Sequence, residues 1–307
     1  VHSGLRLNAL SLKLAAVASV LNAFALRRIG VAGAAAWSAA AIVVSAWLLA
    51  RLRRRPHPFR RHPSFLALGL LDGVGGICLF ASLERLGPVP VALLGALAPA
   101  FAAPLAFLIL GERPSRAQVA LGASAVGGAL LFSWQGGALP SGAGLAFAGA
   151  STLAYAAGNL VAKLALRRFD ACTVLGSSRL ASLAVVLGWG LATGGLAREP
   201  VDALGVGLVV AASVLGGFLA VLLFYRALRH ASLTVTTLVR TTGPVAAAAC
   251  AWPFFPVVLT PLNLVGGAVL LGSVAWLGAG AARPSPSGAA AAPSALSERP
   301  GPPALAA

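Results

Sequence analysis

Acidic residues are nearly missing from this chain. Seven Asp and Glu stand against 23 Lys and Arg in 307 residues, and charged residues of both signs make up only 10%. A soluble globule of this length needs far more charge on its surface, so that class is excluded. Histidine and cysteine are scarce as well. The three cysteines, Cys78, Cys172 and Cys250, all lie in apolar runs, which does not make a disulfide framework. The four histidines, His2, His57, His62 and His230, lie outside those runs and form no ligand cluster. There is no Asp-rich metal-diphosphate motif and no pair of acids at one depth, so general acid/base chemistry has few players. No enzyme activity, metal or cofactor is therefore expected. Methionine is absent and residue 1 is valine, as expected of a non-ATG start or a truncated chain. Lysine gives way to arginine, 2 against 21, in the manner of a G+C-rich bacterial coding bias.

Hydrophobic residues make up 59% of the chain. They fall into ten runs, each about as long as a bilayer is thick: roughly 8–26, 30–50, 64–83, 88–110, 115–134, 142–166, 171–195, 204–225, 231–252 and 258–280. The expected class is an all-α integral membrane protein with the lipid bilayer as its surroundings. The net charge of +16 would suggest nucleic acid in a soluble protein. Here the arginines cluster in short loops with no basic face or interleaved aromatics, so nucleic acid is not an expected partner. A signal peptide over the first run, ending near Asn22-Ala23-Phe24-Ala25, is the lesser reading. Residues 281–307 turn to Ala, Pro and Ser and are expected to be disordered.

The stretch 80–127 returns in skeleton at an offset of 145. Phe80 falls on Tyr225, Leu83 on Leu228, Pro99 on Pro244, Gly122 on Gly267 and Gly127 on Gly272. A second echo, ALRR at 25–28 and again at 165–168, links the first and sixth runs. Matching proline and glycine positions in two hydrophobic halves point to a duplicated transporter. The expected division is one five-helix repeat over 1–135, a second over 136–280, and the tail. Counting basic residues in short loops puts 15 on the side shared by both termini and 4 on the other, which makes both termini cytoplasmic in a bacterial inner membrane. Five spans per half is odd, so the second repeat lies inverted relative to the first.

Phe80 to Gly127, with Pro99, the Leu110-Gly111-Glu112-Arg113 turn and the glycines beyond it, resembles the signature of the EamA family in the drug/metabolite transporter superfamily. Ten spans, two five-span halves and a basic loop after the second span are similar to that family over 8–280. The second copy departs from the pattern, with Pro256-Val257 where Gly-Glu is usual. Trp37-Ser38 lies near the place of an arginine usual in the second span, and Arg179 sits at the matching depth of the seventh. The resemblance implies a secondary carrier of small metabolites, often an exporter, with a central cavity lined by spans such as 3, 4, 8 and 9. It also implies that Glu112 matters to its turn, most simply as a salt-bridging acid near a helix start.

Asp72 is the one acid deep within a span, on a face with Gly69, Gly73 and Gly76. An ionisable group at that depth is costly unless paired or wetted and marks function by default. It is the expected coupling group, either for protons or as the partner of an ion; the plainer reading is an acid that ties two helices together. Arg179 and Arg240 lie at similar depth in spans seven and nine. Arg240 precedes Pro244 by four residues, so the proline leaves its carbonyl without a helical donor. Two arginines against one acid make a positive centre suited to a carboxylate or phosphate. Arg179 could equally pair with Asp72 for structure alone, and Asp72 could equally be the counter-ion of Arg240. In span six Ser151, Tyr155, Asn159 and Lys163 recur every four residues and share one face, as a cavity wall or as glue between helices. Thr234, Thr237 and Thr241 lie on the Arg240 side of span nine. Pro99 and Pro244 are expected hinges or static kinks. The expected function is export of an amino-acid-like or other anionic small molecule. A flippase for a lipid-linked headgroup stays open and needs a side opening to lipid; an intramembrane enzyme is disfavoured by the missing motifs.

Overall fold

The computed structural model describes residues 2–53, 59–111, 115–132, 142–198, 201–230, 233–240, 242–254 and 260–281. Glu112, Thr241 and the tail beyond Ala281 lie outside that set. The described residues are helical, with no strand among them. In chain order the helices are α1 (His2–Ala25), α2 (Val31–Leu52), α3 (Pro63–Leu86), α4 (Pro88–Gly95) and α5 (Ala98–Leu105), the last running into a π-helical segment (Ala106–Leu110). Then come α6 (Arg116–Phe132), α7 (Gly142–Ala165), α8 (Ala171–Ala192), the single turn α9 (Gly195–Arg198) and α10 (Ala203–Ala212). A second π-helical segment (Ser213–Leu219) joins α10 to α11 (Ala220–His230); α12 (Leu233–Arg240), α13 (Gly243–Ala251) and α14 (Pro261–Ala281) follow. Among the described residues six helices are long and apolar enough to cross a membrane: α1 from Arg6, α2, α3, α7, α8 and the continuous rod Ala203–His230. Large apolar side chains on their outer faces, Leu66, Leu70 and Leu191 among them, are more than half exposed. A protein with these helices and this surface is a multi-pass membrane protein.

Both sequence echoes have a structural counterpart. Helices α1 and α7 have 24 residues each, α2 and α8 have 22 each, and both pairs start 140 residues apart. From α4 onward the offset is 145, with α4 and α12 of eight residues each followed by a break, at 96–97 in the first case and at Thr242 in the second. The change happens in one element: the rod Ala203–His230 has 28 residues where α3 has 24. Its surplus accompanies the π-helical stretch, the usual form in which a helix accommodates inserted residues.

Local chemistry sets the ends. Asp170 caps α8 through its carboxylate, which accepts from the N–H groups of Cys172 and Thr173. Asp202 caps α10 by accepting from Gly205 N–H at 3.0 Å and also pairs with Arg28 at 3.2 Å. Before α14, Thr260 and Asn263 cap each other's N–H groups reciprocally, as in a capping box. Asn263 then donates to the Leu131 carbonyl at the end of α6. Gly87 and Gly111 end α3 and the first π-helical segment with φ of 78° and 69°, a region costly for any residue with a Cβ.

Packing joins the two parts of the chain. Helix α3 packs on α7 and α8, α1 packs on α10 and α11, α2 on α8, and α6 on α14. Glycine lets several backbones touch. Gly69 faces Ser178 and Ser182 of α8, while Gly128 of α6 faces the backbone of Gly266 and Leu270. Contacts fix directions: Gly4 lies by Ala227, and Arg28 by Asp202, so α1 runs antiparallel to the Ala203–His230 rod. Gly75 lies by Ala154 and Gly158 by Leu68, so α3 and α7 are antiparallel. One end of the bundle is basic. There His62 and Phe65 stack on Phe169 at 5.2 and 4.9 Å, the Arg60 N–H donates to Ser177 Oγ, and Arg229 donates to the Phe169 carbonyl.

Candidate functional site

A cavity of about 330 Å³ opens in the middle of the bundle, lined from α1, α2, α3, α7, α8, α11 and the pieces around both helix breaks. The breaks expose helix ends to it. Gly95 and Arg240, the last residues of α4 and α12, line the cavity, as do Ala98 and Gly243, the first residues of α5 and α13. Interrupted helices are tolerated at membrane depth where they border a cavity, and there they present free backbone groups and dipole ends to a solute. The first break is braced from outside: Thr152 Oγ1 of α7 lies 3.2 Å from the Leu94 carbonyl and 2.8 Å from its own Ala148 carbonyl. The second is braced from α1, where the Asn8 amide donates to the Thr236 carbonyl at 2.7 Å.

Two charged centres line this cavity. At the first, Arg179 Nη2 lies 3.6 Å from Asp72 Oδ2, and the two side chains are 11% and 5% exposed. A hydrogen-bonded guanidinium–carboxylate fork is tighter than this. Asp72 Oδ2 and Arg179 Nε have no hydrogen-bond partner among the described residues. The pair is thus charge-compensated while an acceptor and a donor are left unsatisfied, an arrangement that favours a further polar occupant. Tyr155 and Asn159 line the cavity from the neighbouring face of α7. Ser151, one turn earlier, donates to the Gly75 carbonyl at 3.0 Å and fastens α7 to α3.

At the second centre the Arg240 guanidinium carbon sits 4.6 Å above the Phe224 ring, and Nη1 lies 3.4 Å from Ser11 Oγ. No acid pairs with Arg240 among the described residues; Asp72 is given to Arg179. A cation held by an aromatic face and a hydroxyl is positioned without being neutralised. Its place at the end of α12 is favourable, because the partial negative charge of a helix C-terminus is there.

Of the residues singled out from sequence, Asp72, Tyr155, Asn159, Arg179 and Arg240 come together on this cavity. Pro99 and Pro244 stand second in α5 and α13, so each helix breaks two residues before its proline rather than at it. Glu112 and Thr241 lie outside the described residues, as do the side chains of Thr234 and Thr237. Gly69 and Gly73 make the close approach to α8, whereas a Cβ on Gly76 would make ordinary van der Waals contact with the Tyr155 hydroxyl at 3.8 Å. Sequence reasoning passed over Ser11, Ser19, Asn22, Ser213 and Phe224. The signal for two of them was present: shifting the span-six stripe by the 140-residue offset carries Ser151 onto Ser11 and Asn159 onto Ser19.

The model of the EamA-like transporter family matches the chain twice, over residues 3–134 and 142–279. No curated protein matches the chain at a significant level. Among solved structures, a crystal structure of a protein 15% identical in sequence is similar with a TM-score of 0.68, over 86% of this chain and 96% of that one. At that identity the likeness concerns the fold.

Proposed function

The chain belongs to the EamA-like transporter family, and from that membership and the cavity we propose a secondary carrier that exports a small organic anion, amino-acid-like in its simplest form, across a bacterial inner membrane. The carrier has ten spans in two inverted five-helix halves, 1–135 and 136–280, with both termini cytoplasmic. Three features support that architecture: the two matched segments, the antiparallel course of α3 with α7 and of α1 with the Ala203–His230 rod, and the excess of arginine at one end.

One observation carries the choice of an anion: Arg240 lines the cavity with no acid beside it among the described residues, while Arg179 is already compensated by Asp72. A permanent cation at membrane depth needs a counter-ion, water or ligand, and the ligand fills that place. Arg240 takes the carboxylate, and Tyr155 and Asn159 form the wall beside it. Arg179 holds Asp72 and offers its free Nε to the solute. Asp72 is the coupling group. A proton and the ammonium of an amino-acid-like substrate compete for the same unsatisfied Oδ2, which is the condition for exchanging one against the other. The two helix breaks preceding Pro99 and Pro244 are the hinges on which the cavity changes sides.

Two variants test the assignment in reconstituted vesicles. Arg240→Gln should weaken an anionic substrate far more than its uncharged analogue, and adding Asp72→Asn should not restore it. Asp72→Asn alone should remove the pH dependence of transport at normal protein levels. Rescue of both stability and transport of Arg240→Gln by Asp72→Asn would make Arg240 a structural partner of the acid and end the binding assignment.

A further inference from the structure

Away from Arg240, the same cavity holds two polar atoms that the proposed mechanism does not use. Asn22 Oδ1 on α1 and Ser213 Oγ at the start of the second π-helical segment are buried and without a hydrogen-bond partner among the described residues. Both side chains line the cavity, and Ser213 is only 2% exposed. They oppose each other across an antiparallel contact. A Cβ on Gly216 would meet Ala18 at 2.4 Å, and Arg28 reaches Asp202. Asn22, one turn beyond Ala18, therefore comes level with Ser213, about one turn before Gly216. Ser38 of α2, which also lines the cavity, is level with them, because Ile42 meets Gly217 and both serines lie four residues earlier. Buried polar atoms are nearly always satisfied. Two unsatisfied ones on side chains that line one cavity, and that do not bond each other, call for a third group.

We propose that Asn22 and Ser213, with Ser38, form a second subsite that binds an uncharged hydroxyl or amide at the far end of an elongated organic anion. This rests on the reading of Arg240 as the carboxylate site and deepens it. Asn22 stands eleven residues beyond Ser11 on the same face of α1, which places the two subsites about 16 Å apart along the helix. Between them α1 shows the cavity Leu12, Ala15 and Ala18, and the Ser19 hydroxyl is engaged by the Ala15 carbonyl at 3.0 Å. An apolar wall between a cation and a neutral hydrogen-bonding group fits a ligand with a carboxylate, a several-carbon spacer and a polar tip. Net charge alone predicts no such tip.

The test is calorimetric binding to the purified full-length protein. The probes are ω-hydroxyalkanoates of six, eight and ten carbons, the plain alkanoates of equal length, and the methyl esters of both series. The hydroxyl should improve affinity about five- to tenfold, the worth of one hydrogen bond, and should do so at one chain length only. Ser213→Ala and Asn22→Ala should each abolish that gain while leaving the preference of acid over ester intact. A hydroxyl that helps at no length, or a gain that survives both substitutions, overturns the subsite and leaves Arg240 untouched. Loss of the acid-over-ester preference in the unmodified protein overturns the Arg240 reading and the subsite with it. Ligand-free melting guards against a structural alternative: removing an unsatisfied hydroxyl should leave Tm unchanged or raise it. A fall in Tm with hydroxyl preference intact assigns these groups to a structural water and overturns the proposal.

Discussion

Replacing Gly69 by alanine should destabilise the protein more than any comparable change along α3, and should disturb the charged centre one turn away. A Cβ at residue 69 would lie 2.4 Å from Ala181 Cβ, 2.6 Å from the Ser178 carbonyl oxygen and 3.0 Å from Ser182 N. None of these atoms is the free end of a flexible side chain, so α3 and α8 must part by about 1 Å to restore ordinary contact distances. Overpacking of this kind costs about 1–3 kcal/mol. The better helix propensity of alanine returns about 0.5–1 kcal/mol, leaving a net loss of up to about 2.5 kcal/mol. Gly73→Ala should cost less, since its nearest neighbours are side-chain atoms of Val185 at 2.9 Å and the Ser182 carbonyl stands off at 3.3 Å. Gly188→Ala on α8 meets nothing within 4 Å and should be neutral or mildly stabilising. The order is read from thermal unfolding of the three purified variants. Parting α3 from α8 also lengthens the 3.6 Å approach of Arg179 to Asp72, so Gly69→Ala should alter the pH dependence of transport in the direction of Asp72→Asn. Equal stability of Gly69→Ala and Gly188→Ala would refute the close packing of α3 on α8 from which all of this follows.

Topology and capping give two further expectations. In a background with Cys78, Cys172 and Cys250 replaced by alanine, single cysteines at Arg53 and Arg198 should label from opposite sides of the membrane; labelling from one side contradicts the ten-span count. The Asp202 carboxyl is held below its ordinary range, chiefly by the hydrogen bond from Gly205 N–H and further by Arg28. Its stabilising effect on the start of α10 is therefore complete above the ordinary carboxylate pKa and is lost as pH falls through the lowered folded value. The Tm gap between the unmodified protein and Asp202→Ala should shrink on acidification, and a gap that grows toward low pH contradicts this assignment.

Helix identity was legible because apolar runs and their flanking arginines report directly on a membrane environment. Both echoes were legible too, as marks of one internal repeat, but at two different offsets. Only the longer rod Ala203–His230, with its π-helical stretch, reveals one duplication with an insertion inside a span. The prolines announced broken helices and misplaced the breaks by two residues. A proline is easily accommodated in the first turn of a helix, where its missing N–H has no partner to lose, so α13 restarts just ahead of Pro244. The charged residues were legible singly from their cost in hydrocarbon. Their pairing was not, since either arginine could have reached Asp72 on depth alone. Asn22 and Ser213 were invisible, because a lone serine or asparagine in a span has a local or interhelical partner more often than not. Only packing shows that these two have none among the described residues.

The charges break the symmetry that the helices keep. At the 145-residue offset Arg240 falls on Gly95, and at the 140-residue offset Arg179 falls on Ala39; Gly95 and Ala39 both line the same cavity. Asp72 falls on Ala212 at the 140-residue offset and on Gly217 at the 145-residue offset, neither of them ionisable. Helix lengths, break positions and packing partners therefore follow the duplication, whereas every ionisable group on the cavity wall is unique to one copy. Symmetric packing allows two near-equivalent arrangements of the halves, which alternating access requires. On the proposed reading, an anion that moves with those halves would meet a different surface in each arrangement, because Arg240 belongs to one broken helix and Gly95 to the other. Differential affinity between the two arrangements is what lets a ligand shift such an equilibrium. On that reading it would arise from Arg240, which no acid among the described residues neutralises, rather than from the scaffold that carries it.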